Sequence, residues 1–441
     1  MNTWLHHIWE RLRTSYWFVP GVMVFLLSLA ALLSLWIDDV YGEKLLEVMP
    51  SLRQVSPDGM RTLLSTIATS LLTLVGVTFS GTLVALTMAS GQFGSRLLRN
   101  FIRQPVNQIT LGFLLGNFFM CLFVIRHVRG GGDATEVPHV AGLVALLTTV
   151  ASLGLFIYFI HRLASSLQAD NVVRDVYLEL DHMVEDYFPD EKGCGEEDAE
   201  VDKERDQWEE KREGEVALNS EKVGYLQVVN VENLIEIARE EELRVRAMMR
   251  PGQFVDMGTT MAMIEREKID EALSKRVAAC FIIGGIRNAD QDIEFCLGQL
   301  VEVALRALSP GINDPFTAIT CVDYIGAAMS KISARALPKR EFKNEAEKVC
   351  VRTRPTSFAA ILETAFLQLR QTVVDRPDLS IRLVQTLEKI GKTACTRGRQ
   401  NLLLEHAEHL VKAAADRFAE PDKKALTVAL DRMRETLNND D

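Results

Sequence analysis

Apolar and charged positions are segregated along this chain. Four windows, Trp17–Ile37, Thr62–Ser95, Gln104–Ile125 and Val137–Ile160, contain no Asp, Glu, Lys or Arg. About twenty apolar residues cross the hydrocarbon core of a bilayer, and each window is long enough. In lipid the backbone must bond to itself, so the windows predict four transmembrane helices. Helix two, Arg61 to about Ser90, is longer than a bilayer needs and is expected to tilt or to project beyond it. Trp4, Trp9, Tyr16, Trp17 and Trp36 are interfacial anchors around helix one, which lacks a small-residue cleavage site.

Beyond helix four the pattern changes three times. A helical continuation runs to about Tyr187, then a highly charged segment follows. Val223–Val229, Leu243–Met248, Phe254–Val255 and Thr260–Ile264 alternate or cluster as short strands around a helix at Val231–Glu241, and Val277–Ile283 adds an apolar strand. From Asn288 the chain is helical. Ile293, Leu297, Leu300, Ala304 and Leu308 form an apolar face, with Asp292, Gln299, Glu302 and Arg306 opposite. Ser309-Pro310-Gly311 stops that helix. Asp314 caps the next, with Pro315 at its first position. Pro355–Asp375, Asp378–Thr396, Asn401–Phe418 and Pro421–Leu437 complete a helical bundle.

The expected fold is a membrane α-helical domain of four spans joined to a cytoplasmic α+β region. Its domains are residues 1–165, the membrane helices; 166–222, a helical extension and acidic linker; 223–286, a small β-rich module; and 287–441, a helical domain. The string RPGQFVDMGTTMAMI, from Arg250, is similar to the sandwich of lipoyl and biotinyl carrier domains. It has no lysine at a hairpin tip, so no covalent cofactor is implied.

Composition changes this picture once the charges are placed. The chain has 441 residues, 48% hydrophobic and 25% charged, with a net charge of −11. Glu185–Lys222 alone carries −10 of it, with 16 acids and 6 bases. The acidity therefore belongs to one solvated segment. No basic face is present for nucleic acid. Lys/Arg counting favours both termini in the cytoplasm. Seven cysteines without metal-type spacing, six of them after helix four, suit a reducing compartment.

Two groups of membrane residues stand out. Helix two carries many hydroxyls, Thr73 and Ser80 among them, beside Gly81. Helix three carries Gly112-x-x-x-Gly116 followed by Asn117. Small residues allow close helix approach and hydroxyls bond across it; the same residues would line a conduit with Asn117 at a constriction. Arg96, Arg99 and Arg103 lie between helices two and three with no acid among them, as a lipid-headgroup stretch. No Asp, Glu, Lys or Arg sits inside a span, which weighs against proton coupling or voltage sensing.

In the soluble half, Arg287, Asp290, Asp292, Asn313, Asp314 and Asp323 are the candidate site. Two helices and a turn would bring them together, as ligands for a hard cation or another small ligand, or as a network of caps and salt bridges. His406 and His409 have metal-ligand spacing, but Glu405 and Glu408 beside them make a solvated helix face the simpler reading. No phosphate loop, His-Glu-x-x-His or nucleophile–base set is present, so neither an enzyme, a cofactor nor a metal is expected.

RNADQDIEFCLGQLVEVALRALSPGINDPFTAITCVD (Arg287–Asp323) resembles the signature of the bacterial membrane-protein family called domain of unknown function 2254. The run TLVGVTFSGTLVALTMASGQFGSRLLRNFIRQPVNQITLGFLLG, the string FIHRLASSLQ and GYLQVVNVENLIEIA extend the resemblance over nearly the whole chain. Gly94-Ser95-Arg96 stands where the family carries Ser-Pro-Arg. The resemblance implies an integral inner-membrane protein and no particular activity. Two functional readings follow from the residues: a homo-oligomeric channel or transport-like protein regulated by its cytoplasmic region, or a membrane-anchored sensor or scaffold. Membrane lipids and further copies of the chain are the expected partners.

Overall fold

The computed structural model describes residues 17–48, 56–94, 105–129, 137–166, 168–189, 214–343, 348–354 and 356–438. The chain divides into two compact units, residues 1–171 and 172–441.

The first unit holds four long helices: α1 (Phe18–Val48), α2 (Pro57–Phe93), α3 (Pro105–His127) and α4 (His139–Ser166). Each is long and apolar enough to cross a membrane. All four expected spans are present. Ser56 starts α2 by accepting from the Gly59 N–H at 3.1 Å, with Pro57 at the first helical position. At 37 residues, α2 is about 55 Å long, well beyond a hydrocarbon core of about 30 Å. The core of the unit is apolar, with Leu64, Leu114, Met120, Cys121, Val124 and Ala145 fully enclosed.

Two polar contacts fix this unit at one end. The Asp38 carboxylate, ten residues before the end of α1, accepts from the backbone N–H groups of Val140 and Ala141, each at 2.8 Å. It thereby caps α4 from another helix, where orphan N–H groups favour an anion. Arg61 of α2 donates to the Val128 carbonyl at 2.7 Å.

The expected helical continuation is a separate helix, α5 (Ala169–Tyr187). Asn171 Nδ2 donates to the Ser165 carbonyl at 2.8 Å, satisfying a group left open at the end of α4. Val172, Val173, Val176, Leu180, Met183 and Val184 form the buried stripe of α5.

After α5, the second unit carries β1 (Glu215–Asn219), β2 (Gly224–Val229), α6 (Val231–Glu240), β3 (Val245–Ala247), β4 (Phe254–Val255), β5 (Thr260–Glu265), α7 (Glu271–Ala278) and β6 (Phe281–Gly284). It continues with α8 (Ile293–Ala307), α9 (Pro315–Ala334), β7 (Glu341–Lys343), β8 (Val349–Arg352), α10 (Phe358–Thr372), α11 (Pro377–Thr393), α12 (Arg397–Ala414) and α13 (Glu420–Asn438). The strands form one sheet ordered β1-β5-β3-β8-β7 and another ordered β4-β2-β6.

Three expectations are corrected here. Residues 215–219, assigned to the acidic linker, pair antiparallel with β5. Residues 277 and 278, assigned to a strand, end helix α7: Asp270 caps it by accepting from Leu273 N–H at 2.8 Å, and Leu273 and Val277 bury one face. Two strands, β7 and β8, arise inside the region expected to be all helix, and β8 pairs parallel with β3. The module also carries two helices and borrows strands from distant sequence, which departs from the lipoyl-like sandwich expected from one local string.

The helical bundle packs around buried Leu297, Leu300, Ile325, Ile361, Phe366, Leu383 and Ile390. Arg399, only 1% exposed, closes the C-terminus of α9. Its Nη1 donates to the carbonyls of Ile332 and Ser333 at 3.1 Å and of Arg335 at 2.8 Å, and its guanidinium stacks 4.9 Å from the Phe358 ring.

Candidate functional site

The six candidates of the second unit do not converge: Arg287, Asp290 and Asp292 lie at the start of α8, Asn313 and Asp314 beyond its end, and Asp323 within α9. Helix α8 has 15 residues and is about 22 Å long. Asp292 lies before its first residue and Asn313-Asp314 lie beyond its last, so one ligand cannot be shared by all six. Among the described residues, no group of three His, Cys, Asp or Glu side chains is placed to hold a metal ion.

At the first end, Asp292 caps α8 by accepting from the Phe295 N–H at 3.0 Å. Arg287 grips the same carboxylate with two prongs, Nε to Oδ2 at 2.7 Å and Nη2 to Oδ1 at 2.8 Å. Burial is the larger influence and pushes the Asp292 carboxyl up, with Arg287 and the Phe295 N–H pulling it back down. Asp290 accepts from Asn288 Nδ2 at 2.6 Å.

The turn Arg250–Gln253 approaches this end closely. Gly252 has φ +88°, and a Cβ there would stand 2.6 Å from Asp292 Cγ. Arg250 pairs with Glu294 at 3.0 Å and donates to the Thr356 hydroxyl. Gln291 bonds the backbone of Val229 in both directions, at 2.9 and 3.3 Å. These residues bolt the β-rich module to the start of α8. Their chemistry is that of a structural joint.

At the second end, Asn313 adopts φ +51°, the left-handed conformation that Asn tolerates, and accepts from Arg376 at 2.9 Å. Asp314 caps α9 as expected, accepting from the Thr317 N–H at 3.1 Å and its hydroxyl at 2.5 Å. The Thr317 hydroxyl, followed by backbone N–H groups, holds the Asp314 carboxyl below the usual range. Asp323, two turns along α9, is taken by Arg382 of α11 at 2.8 and 2.5 Å. Sequence reasoning missed Arg250, Arg376 and Arg382, because each reaches its partner from a remote element.

The expected polar face of α8 is also largely internal. Asp292 and Gln299 are buried, whereas Glu302 and Arg306 form the expected i,i+4 pair at 3.3 Å. His406 is half-buried rather than solvated. Burial, then the charge of Arg370, drives its pKa down to about 4. His409 instead faces Glu405, at 3.9 Å.

In the membrane unit the expected conduit residues fall into different places. Gly112 and Gly116 are packing positions: a Cβ at Gly112 would stand 2.7 Å from Pro20 Cα, and at Gly116 2.7 Å from Leu27 Cδ1, so α3 meets α1 nearly backbone to backbone. Asn117 is fully buried. Its Nδ2 donates to the hydroxyls of Thr149 and Ser152, both at 3.2 Å, and its Oδ1 accepts from Thr148 at 2.9 Å. It ties α3 to α4.

Thr73 and Ser80 lie on the outer face of α2. With Gly76, Val77, Gly81 and Val84 of α2 and Leu163 of α4 they line an open groove of about 590 Å³. The exposed positions Thr62, Thr66, Thr69, Thr73, Gly76 and Ser80 recur at alternating four- and three-residue steps, so they form one stripe along the helix. The hydroxyls of Thr66, Thr69 and Thr73 donate to carbonyls one turn back, at 2.8, 2.9 and 3.0 Å. Arg96, Arg99 and Arg103 lie outside the described residues.

Comparison with known proteins adds a family. The family described as predicted membrane protein (DUF2254) matches residues 13–389. Uncharacterised proteins of Mycobacterium bovis and Mycobacterium tuberculosis are each 28% identical over 383 residues, covering 85% of this chain and 72% of the relative. No solved structure matches.

Proposed function

The chain belongs to the DUF2254 family of predicted membrane proteins, and we propose that it works as a homo-oligomeric, channel-like protein of the bacterial inner membrane, with both termini cytoplasmic and the soluble unit as its regulator. The observation that carries this reading is the outer stripe of α2. Thr62, Thr66, Thr69, Thr73, Gly76 and Ser80 are small or hydroxyl-bearing and exposed on the single chain. The large apolar Leu72 and Phe79 are exposed to one side of this stripe, as a lipid-facing surface requires, while Val77 and Val84 line the same groove as Thr73 and Ser80. In the proposed assembly α2 of each copy turns its stripe toward a shared axis. Small residues permit the close approach of copies. The hydroxyls of Thr62, Thr66, Thr69 and Thr73 spend their protons on their own helix, which leaves each oxygen able to accept from water or a hydrated ion.

Purified protein reconstituted in liposomes tests the reading. It predicts an oligomer in native mass measurements and ion flux above that of empty vesicles. A monomer, or no flux under any ionic condition, overturns it.

A further inference from the structure

The five-stranded sheet has two unlike faces. Residues alternate between the faces along each strand. Val245, Ile264 and Val351 go into the apolar core. The opposite face carries Arg244, just before β3, Arg246 from β3, Lys348, just before β8, Arg352 from β8, Glu215 from β1 and Glu265 from β5, around a concavity of about 300 Å³. Four bases face three acids there once Glu341, the partner of Arg352, is counted, in a chain whose net charge is −11. Arg246 is only 4% exposed and pairs with Glu215 at 2.6 Å. Arg244 pairs with Glu265 at 3.3 Å and Arg352 with Glu341 at 2.6 Å, both more open to solvent.

Holding an arginine and a glutamate out of water costs about as much as their attraction returns, and an apolar pair of similar size would serve the sheet as well. The charges therefore point to chemistry. Guanidinium groups have several donors in a fixed fork that matches phosphate oxygens, and one ion pair uses only part of that fork. The volume lies at the small end of ligand pockets. We propose that this face binds a small phosphate-type anion between β3 and β8. The parallel pairing of these strands is short, matching Val245 with Val351 and Arg246 with Arg352. An anion held by side chains of both strands would staple them, and with them two distant parts of the soluble unit. This site is separate from the α2 stripe and stands whether or not the membrane unit conducts.

The test uses the full chain in detergent, with hydrogen exchange at residues 348–352 and thermal unfolding as readouts. Pyrophosphate is titrated at an ionic strength held constant with sodium chloride. A parallel arm adds phosphatidylglycerol to the micelles without pyrophosphate. The site predicts saturable protection and a raised Tm in at least one arm, and the responding arm identifies a free anion or a lipid headgroup as its source. Arg352→Gln and Lys348→Gln, at the open rim, each weaken the half-saturation concentration by about tenfold, the loss of one charge-assisted hydrogen bond. Arg417→Gln, whose ion pair with Asp375 is exposed, leaves it unchanged. No saturable response in either arm overturns the proposal, as does a response that both rim variants keep at full strength.

Discussion

Arg287 and Asp292 face each other through two parallel hydrogen bonds, and the same carboxylate caps helix α8 and receives the Gly252 turn. One buried anion thus joins a loop, a helix start and a neighbouring turn. Gly252→Ala should be strongly destabilising, because it places a methyl group against that carboxylate at a backbone conformation L-residues rarely adopt. The expected cost is about 2–4 kcal/mol, read as a lower Tm of the second unit's transition. Arg287→Gln should lower the same transition, because it leaves Asp292 buried without its counter-charge.

Arg399 should not tolerate lysine. The guanidinium serves three carbonyls and one aromatic ring at once, a geometry an ammonium group cannot reproduce. Arg399→Lys is expected to cost about 2–3 kcal/mol, measured by thermal unfolding. A change within error would remove Arg399 as the clasp of α9.

His406 of α12 makes the acid limb of stability predictable. Its folded pKa of about 4 lies below the ordinary histidine value of about 6.5. The unfolded chain therefore binds this proton first. The contribution is fully present above the ordinary value and is lost progressively as pH falls from there toward about 4. His406→Gln should flatten the Tm–pH curve over that window. An unchanged slope would show that another group governs it.

The membrane residues separate into packing and outer-face positions, and substitution should distinguish them. Asn117→Leu removes bonds to three hydroxyls of α4. It should lower stability in detergent by about 0.5–2 kcal/mol. Gly112→Val should disturb the α1–α3 contact more severely, because there the facing atom is backbone. Thr73→Val, on the outer face with its hydroxyl bonded only to its own helix, should leave Tm nearly unchanged.

Much of this was legible in the sequence because the signals are local. Charge-free windows, the Asp314-Pro315 helix start and the 3.6-residue spacing of α8 are each complete within one segment. The misses involve partners far apart in the chain. β1 was hidden inside a charged run, since its pairing partner lies in β5. Asp323 looked like a ligand because Arg382 is 59 residues away. The partners of Asn117, the hydroxyls of Thr148, Thr149 and Ser152, lie 31 to 35 residues away. Sequence offered the residue types, and only the fold showed that most of them already had partners.

The central claim, that copies of α2 surround a conducting axis, is most directly tested by cysteine accessibility in flux-competent liposomes. Thr73→Cys should be modified by a charged thiol reagent from the water phase, and flux should fall after modification. Val150→Cys, exposed on α4 among large apolar residues, should neither react with the charged reagent nor change flux. Flux that persists unaltered through full modification of Thr73→Cys, or a Thr73→Cys thiol as unreactive as that of Val150→Cys, would contradict the account.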